Sequence, residues 1–330
     1  MKMWKCENSA ERSTLRIFTF PHFHIFIFSF SILKLSKFID EQAVLKKLSL
    51  LNALMIVATS YVMAQSQPGG ETTFVNSSDG VRIAYEVHGE GKTALVLVHG
   101  WSCDRSYWKN QIEKFSQRYK VVILDLAGHG ESGLERKDWT MQAFGKDVAA
   151  VADKLGLQHV ILIGHSMGGD VIAEAARNLQ GKVVGMVMVD TYHKLGTGRS
   201  PQQVEAFIAT LRKNFSDSTR ILVRSMFLPT SDAALVEQVA ADMSSAPPEV
   251  ALSSLEHAFS YSRDMPHTLG ELKLPVIAIN SGSSPTDTAS MKRYGVDVIV
   301  MPNVGHFLML EDPDRFNQLL NSAIDKLVQN

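Results

Sequence analysis

Ser166 stands in Gly164-His165-Ser166-Met167-Gly168, with a glycine two residues to either side. The apolar run Val160-Ile161-Leu162-Ile163 leads into it, and a helix-forming segment, DVIAEAARNL, leaves it. A strand that enters a helix through so sharp a turn strains the middle residue and leaves room only for small neighbours. The strain lifts the serine hydroxyl above the sheet edge, where the positive end of the new helix favours a developing oxyanion. Glycines around a serine mark only a turn; a buried strand before them and a helix after them mark a nucleophile. A serine hydroxyl is weakly nucleophilic at neutral pH, so this chemistry needs a base within hydrogen-bond reach.

Three further stretches carry residues of that kind. His99-Gly100-Trp101 closes the apolar run TALVLV, which puts the Trp101 N–H near the serine corner of the neighbouring strand. With the Met167 N–H it forms an oxyanion hole. Asp125-Leu126-Ala127-Gly128-His129-Gly130-Glu131-Ser132 closes the next run, and Asp125 reads as a turn-holding residue. Asn303-Val304-Gly305-His306-Phe307 follows the last run.

The elements that must position these residues are legible as alternating patterns. TTFVNSSDGVRIAYEVHG reads as two strands joined at Asp79-Gly80. TALVLVHG, KVVILDLAG, HVILIGHS, KVVGMVMVD, PVIAINSG and VDVIVMPNVGHF are apolar runs of the kind found in strands buried on both faces. Helical patterns separate them: SYWKNQIEKFSQRY, MQAFGKDVAAVADKLG, DVIAEAARNL and TASMKRYG, with PDRFNQLLNSAIDKLVQ at the end. Strands alternating with helices predict an α/β fold, a mostly parallel sheet covered on both faces, with the two leading strands as an antiparallel edge. From about 193 to 270 the strand rhythm stops. PQQVEAFIATLRKNF and ALVEQVAADM, with Pro247-Pro248 after them, predict a helical insertion over the carboxyl ends of the strands.

Taken together, the nucleophile elbow, the His-Gly turn, the D-x-x-G-H-G-x-S stretch and the order serine, acid, histidine resemble the α/β-hydrolase superfamily over residues 72–330. The resemblance implies an eight-stranded sheet with a helical cap, Ser166 as nucleophile and His306 as its base. His99 and His129 belong to turn motifs, His165 points away from its neighbour Ser166, and His193, His257 and His267 read as surface or pocket-wall residues. The acid that orients the imidazole has two candidates. In most members of the superfamily it follows the strand written here PVIAINSG, but Gly282 is followed by Ser283-Ser284-Pro285, and Asp287 lies two residues further on. The other known place is the end of the preceding strand, where Asp190 stands; the vacancy favours Asp190, with Asp287 as the alternative.

The resemblance implies a serine hydrolase that cleaves esters or lactones of small apolar compounds through an acyl-enzyme, with no metal and no organic cofactor. Tyr107, Trp108, Met226 and Phe227 are expected on the pocket wall, core or lid packing being the competing reading of the same side chains. The same resemblance admits carbon–carbon bond hydrolysis, acyl transfer, or a receptor that binds and turns over little. Serine at 166 argues against dehalogenase and epoxide hydrolase chemistry, which use aspartate there.

A net charge of −1 over 330 residues offers no electrostatic footprint for nucleic acid. Cys6 and Cys103 make no disulfide framework, and Cys103 reads as a small buried thiol. Lys46-Lys47, the apolar run after them and Val62-Met63-Ala64 have the form of a signal peptide over 44–64, cleaved before Gln65. That implies an exported protein, periplasmic or secreted, or one anchored by residues 48–64 if cleavage fails. Residues 1–43, aromatic-rich and without helical amphipathicity, read as a mis-assigned extension ahead of a start near Val44.

Overall fold

A computed structural model describes residues 70–329 and, in the amino-terminal part, two strands, Arg16–Phe20 (β1) and Phe23–Ile27 (β2). The expected signal segment 44–64 lies outside the described residues, and so does most of 1–43. The chain divides into two compact units, Met1–Pro68 and Gly69–Asn330. In the first, β1 pairs antiparallel with β2, where the sequence reading placed no element.

The second unit is built on an eight-stranded sheet of Thr73–Asn76 (β3), Arg82–His88 (β4), Ala94–Val98 (β5), Lys120–Leu124 (β6), Val160–His165 (β7), Val183–Val189 (β8), Val276–Ser281 (β9) and Val296–Met301 (β10). Its order is β10-β9-β8-β7-β5-β6-β4-β3. β3 and β4 pair antiparallel, as do β4 and β6, and every other pairing is parallel. The central strands read as unbroken apolar runs because helices cover both faces: every residue of β5, β7 and β9 is buried. Each fully buried Val, Leu or Ile contributes about 1.5–3 kcal/mol of transfer free energy, so the sheet centre anchors the unit. From β5 the chain passes to β6 on one side and then crosses to β7 on the other. The crevice opened by such a reversal, at the carboxyl ends of β5 and β7, is where open α/β sheets hold ligands.

Between β8 and β9 lie five helices: Pro201–Lys213, Phe215–Arg224, Ala233–Met243, Pro248–Tyr261 and Met265–Leu272. The first has a capping box, Ser200 with Gln203, and a proline in its opening turn. The segment is tied to the body at the sheet's carboxyl edge. The Trp101 indole N–H donates to Ala251 O at 2.7 Å, the Tyr107 hydroxyl to Asp242 at 2.6 Å, and the Tyr261 hydroxyl to Glu174 at 2.6 Å. Among the described residues no helix is long and apolar enough to cross a membrane.

Candidate active site

Ser166 leaves β7 and precedes the helix Met167–Asn178, with φ 53° and ψ −120°, a backbone region strongly disfavoured for any residue with a Cβ. The glycines around it are required by space. A Cβ on Gly164 would come 2.2 Å from Gly168 O, and one on Gly168 would come 2.6 Å from both His99 O and Val98 O. Gly100 lets the loop after β5 lie against the elbow, since a Cβ there would stand 2.9 Å from His165 Nδ1 and 3.3 Å from the Ser166 Cβ. Trp101, next in that loop, is thereby brought beside the serine corner, its ring fixed by Ala251 and edge-on to Phe215 at 6.3 Å. Met167 opens the helix, so its N–H has no carbonyl partner within the helix.

His306 lies beyond β10, in a loop held from several sides. Its N–H donates to Met226 O at 2.9 Å, and Glu311 accepts from the N–H groups of Gly305 at 3.0 Å and Phe307 at 3.3 Å. Its carbonyl accepts from His165 Nε2 at 2.9 Å, and the two imidazoles lie 4.7 Å apart between centroids. Burial, then the nearby His306, lowers the His165 pKa to about 3, so that ring is a neutral strut between the serine's predecessor and the histidine loop. His306 Nδ1 donates to Asp190 Oδ2 at 2.7 Å, which leaves Nε2 bare and basic. No hydrogen bond joins Ser166 to His306 among the described residues. Hydrolytic contacts of this kind commonly tighten only when substrate is bound.

Of the two candidate acids, Asp190 is the one that touches His306. It directly follows β8 with φ 49°, is 6% exposed, and its Oδ1 accepts the Ser281 N–H at 2.6 Å. Burial alone would raise its pKa; the imidazoles of His193 and His306, with the Ser281 N–H, outweigh burial and hold the carboxyl below its usual range. Asp287 instead caps the helix Thr288–Arg293 by accepting from Ser290 N at 2.9 Å, and faces Lys194 at 3.6 Å. Asp125 accepts from the N–H groups of Arg105 at 2.7 Å and Glu131 at 2.8 Å and pairs with the Arg105 guanidinium, which makes it the clasp of its turn.

The residues expected on a pocket wall separate. Trp108 is wholly buried, its ring 6.3 Å from Phe316 of the last helix, so the structure corrects the pocket-wall expectation to core packing. Phe227 stacks on Phe307 at 4.9 Å, and Met226 takes part through its carbonyl, so both brace the His306 loop. Tyr107 borders a cavity of about 510 Å³, with Leu235, Val239, Asp242, Leu310 and Glu311; Ser166 is not on its wall.

His99 and His129 sit in turns as expected. His99 Nε2 accepts the Leu126 N–H at 3.0 Å and so ties the ends of β5 and β6. Sequence reasoning missed His193, whose Nε2 stands 3.2 Å from Asp190 Oδ1, and the bracing roles of His165 and Glu311. His193 is three residues beyond Asp190, a spacing with no periodic signature; only the D-x-x-H sequence itself could have marked it.

A mostly parallel sheet that reverses its strand order beside a serine elbow, with an Asp-paired histidine beyond the last strand, defines the α/β class of serine-elbow folds. The model of the alpha/beta hydrolase family matches residues 95–319, and the chain belongs to that family; the expectation of a hydrolase stands on this membership. A curated relative, the dihydrolipoyllysine-residue acetyltransferase component of the acetoin cleaving system of Pseudomonas putida, is 29% identical over 73% of this chain and 66% of its own length. Two further curated relatives are spanned over only 41% and 43% of their lengths. Among solved structures, a thermophilic esterase from Thermogutta terrifontis aligns with a TM-score of 0.68 at 23% identity over 78% of this chain and 99% of that one. Est816, described as an N-acyl homoserine lactone degrading enzyme, aligns with a TM-score of 0.66 at 23% identity over 76% and 99%.

Proposed function

We propose that the chain hydrolyses carboxylic esters or lactones of small apolar compounds through Ser166, His306 and Asp190. The observation that carries the reading is the 2.7 Å hydrogen bond from His306 Nδ1 to Asp190, which leaves Nε2 as a base, beside a serine raised on a strained elbow. In the first half-reaction His306 Nε2 takes the hydroxyl proton as Ser166 Oγ attacks the acyl carbon. The backbone N–H groups of Trp101 and Met167 receive the oxyanion, and the imidazolium, steadied by Asp190, returns the proton to the departing alcohol oxygen. Water, deprotonated by the same imidazole, then attacks the acyl-enzyme and releases the acid. Support from likeness comes from the esterase and the lactone-degrading enzyme that share the fold.

A fluorophosphonate probe and a panel of chromogenic esters and lactones test this on the protein beginning at Gln65. The expected result is probe adduct at Ser166 and turnover of short acyl esters, both lost in Ser166→Ala. Folded protein that neither labels nor turns over any of the panel would overturn it. We also infer export, periplasmic or secreted, with Gln65 as the mature first residue. Intact mass of the native protein checks it, and residues 1–43 found in that mass would refute it.

A further inference from the structure

Asp190 lies between two imidazoles, and a hydrogen-bond chain that starts at Asn280 reaches the second. The Asn280 side-chain amide, wholly buried, donates to Tyr192 O at 2.8 Å and to Thr286 Oγ1 at 3.2 Å. Thr286 Oγ1, accepting from that amide, has its own hydrogen for His193 Nδ1 at 2.9 Å. An imidazole that accepts at Nδ1 carries its proton on Nε2, and His193 Nε2 faces Asp190 Oδ1 at 3.2 Å. The carboxylate therefore has one imidazole per oxygen: His193 at Oδ1, beside the Ser281 N–H, and His306 at Oδ2.

We propose that His193 is a positioning residue for the acid: it holds Asp190 Oδ1 so that Oδ2 meets His306, and it shares the carboxylate's charge with that base. The positioning stands on geometry alone; its catalytic consequence rests on the hydrolase reading. The other charged groups near His193 are already engaged. Asp287 donates its N–H to His193 O at 2.8 Å while its carboxylate caps a helix and faces Lys194. On the other side, Tyr192 turns its hydroxyl to Asp170 at 2.5 Å. Asp190 is thus the one carboxylate that the His193 ring meets among these.

The coupling is one of orientation: without the hold at Oδ1, Asp190 Oδ2 loses its fixed place at His306 Nδ1. His193→Leu is expected to lower kcat about tenfold, with KM within about twofold. His193→Gln, whose amide nitrogen can occupy the place of Nε2, should return kcat to within about threefold of wild type. A role in packing alone would leave His193→Gln as impaired as His193→Leu.

A readout independent of turnover separates this from the hydrolase reading. Above pH 8, ring ¹⁵N spectra should show His193 with a proton-bearing Nε2 and a bare Nδ1, and Thr286→Val should abolish that single-tautomer pattern. The opposite tautomer, or a His193→Leu enzyme with unchanged kcat, overturns the proposal. If no substrate is turned over at all, the hydrolase reading fails and the tautomer alone decides this one.

Discussion

Asp125 and Asp190 occupy matching places: each directly follows the last residue of a largely buried strand of the main sheet, β6 and β8, and each is nearly or wholly inaccessible. Their partners make them different. Asp125 meets a guanidinium that never loses its charge and two backbone N–H groups, which hold it although burial pushes its carboxyl above the usual range. Asp190 meets two imidazoles, groups that can carry a proton or release it, and a single backbone N–H. One buried carboxylate fastens a turn; the other is placed to steady a charge that appears and disappears.

The sharpest separation comes from the groups on the Asp190 side. Ser166→Ala should lower kcat by about a millionfold, with fluorophosphonate labelling lost and the thermal midpoint little changed. Asp190→Asn should lower kcat about ten-thousandfold. Its amide would keep the Ser281 bond through oxygen and turn its nitrogen toward His306 Nδ1, which then accepts and sends the proton to Nε2, where the base must be bare. Asp287→Asn, at a helix cap, should stay within about threefold. Equal losses from Asp190→Asn and Asp287→Asn would erase the distinction.

Asp125→Asn is expected to do the reverse. Both carboxylate oxygens accept from N–H donors, so an amide nitrogen would face a donor in either orientation. The expected loss is about 2–4 kcal/mol by denaturant titration, with kcat of the folded fraction within about threefold. A stable variant with lost turnover would show that this turn belongs to the chemistry after all.

What the sequence showed of this contrast depended on how local the cause was. The buried strands are visible because burial on both faces leaves no polar alternation in TALVLV or HVILIG. The elbow is visible because the clash at Gly164 is with the backbone of Gly168 in the same short motif, so glycine is written into it. The acid could be narrowed only to two residues, since Asp190 and His306 are 116 positions apart and meet through the order of β8, β9 and β10. The prop from Thr286 to His193 spans 93 positions, and neither residue type announces it. Trp108 is open between pocket wall and core in the sequence for the same reason, and Phe316 from the last helix decides for the core. Met226 acts through its carbonyl, which no side-chain pattern reveals.

A third buried aspartate sharpens the comparison by having no cation or imidazole at all. Asp170, one turn into the helix after Ser166, is 4% exposed and is bonded by the Tyr192 hydroxyl at 2.5 Å. Burial pushes its pKa up to about 8, against the lowering effect of that hydroxyl. Between the ordinary carboxylate value of about 4 and that raised one, the folded chain binds a proton that the unfolded chain has lost. Asp170 therefore favours folding at low pH, and its contribution fades as pH rises toward about 8. Asp190 runs the other way: its lowered pKa contributes stability above the ordinary carboxylate value, lost only as acid protonates the folded state. Asp170→Asn keeps an acceptor for Tyr192 and never carries the charge, so its unfolding midpoints at pH 5, 7 and 9 should fall less steeply than those of wild type. Parallel midpoint curves would mean that Asp170 is ionised throughout and that the Tyr192 hydroxyl suffices to keep a bare carboxylate buried.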